Sequence, residues 1–220
     1  MEKSCYKNLP EIHKIKDLLA SQAILDIILN EEENRWLRLT NFYKNFFDGV
    51  NMVKIDNGAG DHVYFLFSDE GAIIKGFDHE SILSPYANDA EEIAKGIYDS
   101  VPTELIKLLD ESIEIHDVTF CIWKSRNDLT WNKGKVVVPE DYDDGDDGEY
   151  FLLGYIFEDA DSWLEWAKAY YEEAGERIQI DYVKKIYEHQ TVTKEIVEMI
   201  NPGRNFDLVD RELKEIGYTT

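Results

Sequence analysis

Two apolar runs in the middle of the chain, residues 63–67 (VYFLF) and 72–77 (AIIKGF), are rich in β-branched and aromatic residues, whereas apolar positions on either side recur at helical spacing. The spacer Ser68-Asp69-Glu70-Gly71 suits a type I turn followed by Gly71 in a left-handed bulge, so the two runs read as an antiparallel hairpin. With Ser68 facing Ala72, His62 lies opposite Asp78 and Asp61 opposite His79. A change of period from 3.6 to 2 and back again restricts the chain to the α+β class.

The helical flanks are legible in outline. Ile12, Ile15, Leu18, Leu19, Ala23 and Leu25 form one stripe, and Trp36, Leu39, Tyr43, Phe46 and Phe47 repeat at three and four residues. Asn30 before Glu31-Glu32-Glu33 reads as a helix cap and Gly49 as a helix stop. Further strands are expected at 117–123, 135–138 and 150–157, and short helices at 89–98 and 103–110. At the C-terminal end Ser162 and Glu165 have capping-box spacing, opening a helix that ends at Gly175. Shorter helices follow at 180–189, 193–200 and 207–216, with Asn201-Pro202-Gly203 separating the last two. The expectation is one domain over residues 1–220: N-terminal helices at 11–48, a sheet region at 51–158 and C-terminal helices at 160–217. The antiparallel sheet should have about five strands.

Charge restricts the partners. The chain has 23 Lys+Arg against 46 Asp+Glu, a net −23. Seven of the ten residues at 140–149 (EDYDDGDDGE) are carboxylates. Such a surface repels nucleic acid and anionic lipid, because phosphate binding needs Lys and Arg to displace counterions. It attracts basic proteins and accelerates their association. The same charge also simply keeps a protein soluble. Residues 1–14 contain no long apolar stretch before a cleavage site, and no apolar run is long enough to span a bilayer, so a cytoplasmic location without membrane attachment is expected. Cys5 and Cys121 are too far apart in sequence to suggest zinc spacing or a disulfide framework.

Few residues carry recognisable chemistry. Asp61, His62, Asp78 and His79 gather at one end of the hairpin and could hold a divalent metal or serve acid–base catalysis. Cys121 follows His116-Asp117, but it lies in the run Thr119-Phe120-Cys121-Ile122-Trp123, the setting of an inert core thiol. The acidic decapeptide fails the calcium-loop pattern: counted from Asp143, the third position is Gly145 and the twelfth Gly154. Its Asp143, Asp144, Asp146 and Asp147 are candidates for steering a partner. Trp36, Trp163 and Trp166 fall on helical core spacing, whereas Trp131 sits among polar turn residues and could anchor a partner. No Walker A loop, GxGxxG, HExxH, GxSxG or paired CxxC occurs, so no cofactor is expected.

Residues 69–86 (DEGAIIKGFDHESILSPY) and 119–123 (TFCIW) resemble a group of bacterial conserved hypothetical proteins of similar length. The likeness continues through Val101-Pro102, the segment 163–171 and Gly217-Tyr218, and it implies no particular activity. In composition and class alone the chain is similar to immunity proteins that neutralise bacterial toxins, including the SUKH-type superfamily, with Asn57-Gly58 the nearest fragment of their landmarks. The reading is therefore an acidic cytoplasmic binding protein, in the manner of an immunity protein or an inhibitor of a cationic toxin. The alternative is a small metal-dependent or hydrolytic enzyme with its site at Asp61, His62, Asp78 and His79.

Overall fold

A computed structural model describes residues 5–87, 92–138 and 146–218. Six strands form an antiparallel sheet in chain order: β1 (Thr40–Phe47), β2 (Val50–Asp56), β3 (His62–Ser68), β4 (Gly71–Phe77), β5 (Phe120–Ser125) and β6 (Asn132–Lys133). The helices are α1 (Ile12–Leu29), α2 (Thr103–Ile106), α3 (Glu149–Leu153), α4 (Ala160–Tyr171), α5 (Glu173–Glu176), α6 (Ile180–Tyr187), α7 (Lys194–Ile200) and α8 (Phe206–Glu215). The α+β class with helices from both ends of the chain is thus present. The chain divides into two compact units, one of Met1–His13 with Asn45–Tyr155 and one of Lys14–Lys44 with Ile156–Thr220.

The first unit is built on β2 to β5, whose side chains form cross-strand rows. One face carries the apolar rows Val53, Phe65, Ile74, Ile122 and Ile55, Val63, Gly76, Phe120. On the other face Met52, Leu66, Ile73 and Trp123 are followed by Lys54, Tyr64, Lys75 and Cys121. Both faces of β3 and β4 are buried, which is why their sequences are nearly unbroken apolar runs rather than alternating ones. Lys75 is the exception inside this layer. It is fully buried, and its ammonium donates to the carbonyls of Glu114 (2.6 Å) and Asp117 (2.7 Å).

In the second unit, residues Ser21 through Ile28 of α1 are all buried, as expected of a helix apolar on nearly every side. The charged member of that stretch, Asp26, accepts from the Thr40 amide (2.8 Å) and the Tyr171 hydroxyl (2.7 Å). Glu212 on α8 bridges two buried arginines, Arg38 (2.7 Å) and Arg204 (3.0 Å).

Several expected elements are different. Residues 40–47 are a strand, not a helix; Thr40 and Phe42 are buried between the less buried Asn41 and Tyr43, a two-residue period that the aromatic spacing hides. Gly49, at φ +72°, is a turn residue between neighbouring strands rather than a helix stop. Trp36, expected in a core, is exposed. Residues 150–157 are not a strand but the helix α3 and a turn: Tyr150 and Phe151 point out while Leu152 and Leu153 point in, a doublet pattern no strand produces. Residues 135–138 form no strand, although the Val137 amide bonds to the Lys95 carbonyl. No helix occurs over 92–98, and the rest of that expected helix, 89–91, lies outside the described residues. The cap of α4 is Asp159, accepting from the Ser162 amide, one turn before the expected Ser162. The apolar stripe of α4 breaks at Glu172, at φ +49°, so the helix stops short of Gly175.

Candidate functional site

The register of the central hairpin decides which polar residues meet. Ser68 pairs with Gly71, not Ala72, so His62 faces Phe77 and one further step puts Asp61 opposite Asp78. The expected register was off by one residue. Gly71 is a sheet residue pressed between two neighbours rather than a bulge: it also pairs with Ser125, and a Cβ there would lie 2.3 Å from the Lys124 carbonyl.

Three of the four expected residues still converge. The turn before β3 is organised by Asn57, whose side-chain oxygen accepts from the Ala59 and Asp61 amides while its Nδ2 donates to Asp61 Oδ2 (2.7 Å). After β4 the chain folds back, and both the amide (2.9 Å) and the ring Nδ1 (2.6 Å) of His79 reach Asp61 Oδ1. Asp61, Asp78 and His79 each offer a ligand atom, and these atoms lie within 4.8 Å of one another. Burial works against the charge of Asp61, but the amide, the ring and Asn57 together hold its carboxyl below the ordinary value. Asp78 is raised, first by burial and then by the carboxylates of Asp61 and Asp146. The bond to Asp61 raises His79, favouring the imidazolium beside that carboxylate. A divalent ion could take that place, with Asp61, Asp78 and His79 Nδ1 as ligands once the imidazole proton has left.

His62 is not part of the group. It shares a face with Tyr64, two residues on, and the register sets it opposite Phe77 instead of Asp78, so it packs on the Tyr64 and Phe77 rings on the face that carries Lys54 and Lys75. Its Nε2 is buried without a hydrogen-bond partner, 3.4 Å from Glu114 Oε2. Burial, reinforced by Lys75, pushes its pKa down to about 4, so the ring is neutral near pH 7. Glu114 itself is held at φ +54° by Tyr64, which donates to its carboxylate (2.8 Å), and by Lys75 on its carbonyl. This cluster was invisible in the sequence, because Lys54, Tyr64 and Lys75 meet only across strands.

Across the hairpin end lies the described end of the acidic stretch. The Ser81 hydroxyl donates to the Asp146 carbonyl (2.6 Å) and the Thr119 hydroxyl to the Asp147 carbonyl (2.7 Å). Gly148, at φ +77°, packs so tightly that a Cβ would lie 2.4 Å from Asp78 Cβ. Asp147 and Glu149 both pair with Lys133, and Glu149 also accepts from the Tyr6 amide (2.5 Å). Of the expected steering residues, Asp146 is therefore exposed and Asp147 is tied into the fold. Asp143 and Asp144 lie outside the described residues.

No family model, curated protein or solved structure matches this chain.

Trp131, the expected aromatic anchor, is buried and donates its indole N–H to the Pro10 carbonyl (2.8 Å). Exposed aromatics stand elsewhere. Immediately after the acidic stretch, Tyr150 is 80% and Phe151 49% exposed, on a helix fixed from below by Leu152 and Leu153. Phe151 packs edge-on against Tyr155, their ring centroids 5.6 Å apart. Tyr150, Phe151, Leu152 and Leu153 are four apolar residues in a row, so the sequence carries no sign of which two face out. Cys121 is buried in β5 and its thiol is pushed up by burial, so it carries no nucleophile chemistry. Among the described residues no helix is long and apolar enough to cross a membrane.

Proposed function

We propose that this chain is a cytoplasmic binding protein for a basic protein, in the manner of a bacterial immunity protein or an inhibitor of a cationic toxin such as a secreted nuclease. The observation that carries the reading is the exposed pair Tyr150 and Phe151 directly behind the acidic decapeptide. Interface energy concentrates in exposed aromatics, while surrounding charge governs encounter and register. A net charge of −23 supports a basic partner and opposes nucleic acid or an anionic membrane as the target.

The test is surface plasmon resonance with the basic products of the genes adjacent to its own, and lysozyme as a generic cationic control. A specific partner should bind more tightly than lysozyme, with an association rate that falls as salt rises. Tyr150→Ala with Phe151→Ala should speed dissociation, and Asn at Asp143, Asp144 and Asp146 should slow association. Binding no stronger than that of lysozyme, or an aromatic pair that can be removed without effect, would sink the proposal.

The second reading is a metal-dependent or hydrolytic enzyme, favoured by the convergence of Asp61, Asp78 and His79. It gives His62 no role as a ligand. Elemental analysis of the purified protein separates the two: stoichiometric zinc or manganese that is lost in Asp61→Asn supports the enzyme, and its absence after dialysis against either ion removes it.

A further inference from the structure

In the second unit a cleft of about 420 Å³ opens between α1, the start of α4 and the end of α6. That volume is in the range of small-molecule sites. Its floor is apolar or already satisfied. Leu18 and Ala160 are buried, the buried Ser21 hydroxyl donates to the Ile186 carbonyl (3.3 Å), and the Tyr187 hydroxyl donates to the Phe157 carbonyl (3.3 Å). The Tyr187 ring is half-buried.

The rim is charged and unbalanced. Five carboxylates line it (Asp17, Glu158, Asp159, Asp161 and Glu188) against two lysines, with His189 at the edge. Lys184 already faces Asp161 at 3.4 Å, and Asp159 is engaged as the cap of α4. Asp17, Glu158 and Glu188 are exposed, and Glu188 accepts one hydrogen bond, from the Gln190 side-chain amide (2.7 Å). Among the described residues, no three ligand atoms of this rim come within reach of a single metal ion. Carboxylates spread round an apolar floor do not suit a compact cation. They suit one whose charges are separated along a hydrocarbon stem.

The geometry points to a binding site for an aliphatic polyamine, its methylenes on Leu18, Ala160 and Tyr187 and its ammonium groups at Asp17, Glu158 and Glu188. Tyr187 adds a ring face for a cation. This site is independent of the acidic decapeptide and of the exposed aromatics.

Isothermal titration with spermidine at fixed physiological ionic strength tests it, with magnesium chloride and ethylamine as comparisons. Spermidine should saturate at one site per chain, and neither comparison ligand should reproduce that isotherm. Glu158→Gln with Glu188→Gln, both at exposed positions that leave the core intact, should weaken binding about tenfold, the combined effect of two surface ion pairs. Asn at Asp144 and Asp146 removes the same charge from the other unit and should leave the affinity unchanged. Heat without saturation, or equal weakening by both double variants, would mean diffuse counterion condensation and overturn the proposal. So would the absence of binding.

Discussion

Asp26 offers the sharpest quantitative test of the second unit. Its carboxyl is buried on α1, with Thr40 and Tyr171 donating to its two oxygens and Asn30 donating in turn to the Tyr171 hydroxyl (2.9 Å). Burial raises its pKa from 3.8 to about 7, against the pull of those bonds and of Arg38. Below pH 3.8 folded and unfolded chains both hold the proton, and the site carries no penalty. Between 3.8 and about 7 only the folded chain holds it, so stability falls as pH rises; above 7 the loss is complete. At 1.36 kcal/mol per pH unit the whole loss is about 4 kcal/mol. Asp26→Asn is neutral throughout and keeps one acceptor for Thr40 and one donor toward Tyr171, as the protonated acid does. Urea unfolding followed by tryptophan fluorescence should find the variant within about 1 kcal/mol of wild type at pH 4.5. By pH 8 it should be more stable than wild type by up to about 4 kcal/mol, with most of the divergence between pH 5 and 7. Titrations elsewhere cancel in the difference. A difference that does not vary with pH, or a variant weaker than wild type at pH 8, would show that Asp26 is an ionised, well-solvated acceptor and refute the reasoning.

The two histidines of the hairpin should separate by NMR titration: His79 above the free value of 6.5 because Asp61 holds its proton, and His62 at about 4 because it is buried. A depressed histidine contributes stability that is present above 6.5 and lost as pH falls toward 4; a shared midpoint would contradict both placements. Lys75→Met should lower stability by about 1–3 kcal/mol for the Asp117 carbonyl left without a donor, the Glu114 carbonyl keeping the Asp117 amide (2.8 Å), read as a shift of the denaturant midpoint, and an unchanged midpoint would mean the Asp117 carbonyl finds another donor. The acidic stretch should split into two functions. Asn at Asp143, Asp144 and Asp146 should leave the melting temperature unchanged or slightly higher, whereas Asp147→Asn with Glu149→Gln should lower stability by about 3–5 kcal/mol by stripping Lys133 of its partners.

Helices α1, α4 and α6–α8 and strands β3, β4 and β5 were legible because each buries a stripe, or lies wholly inside, at a period that a one-dimensional pattern records. Where that pattern was ambiguous the reading failed. Apolar residues at 36, 39, 43 and 46 fit a helix, but within β1 it is Thr40 and Phe42 that are buried, a two-residue period that the aromatic spacing masks. Tyr150 and Phe151 count as apolar residues, and nothing local reveals that they are left outside.

The amino-acid sequence by itself determined the α+β class, the helical ends and the excess of negative charge, since these depend on composition and on spacing along one element. It also nominated Asp61, Asp78 and His79, because both ends of a hairpin must be adjacent whichever register it takes. Tertiary structure alone decided that His62 leaves this group: the observed register sets it opposite Phe77 rather than Asp78. It alone decided that Asp147 and Glu149 hold Lys133 instead of facing solvent, and that Trp131 is buried while Tyr150 is exposed. These outcomes depend on contacts between residues distant in sequence, and a side chain's local context carries no record of the partner that arrives from elsewhere in the chain.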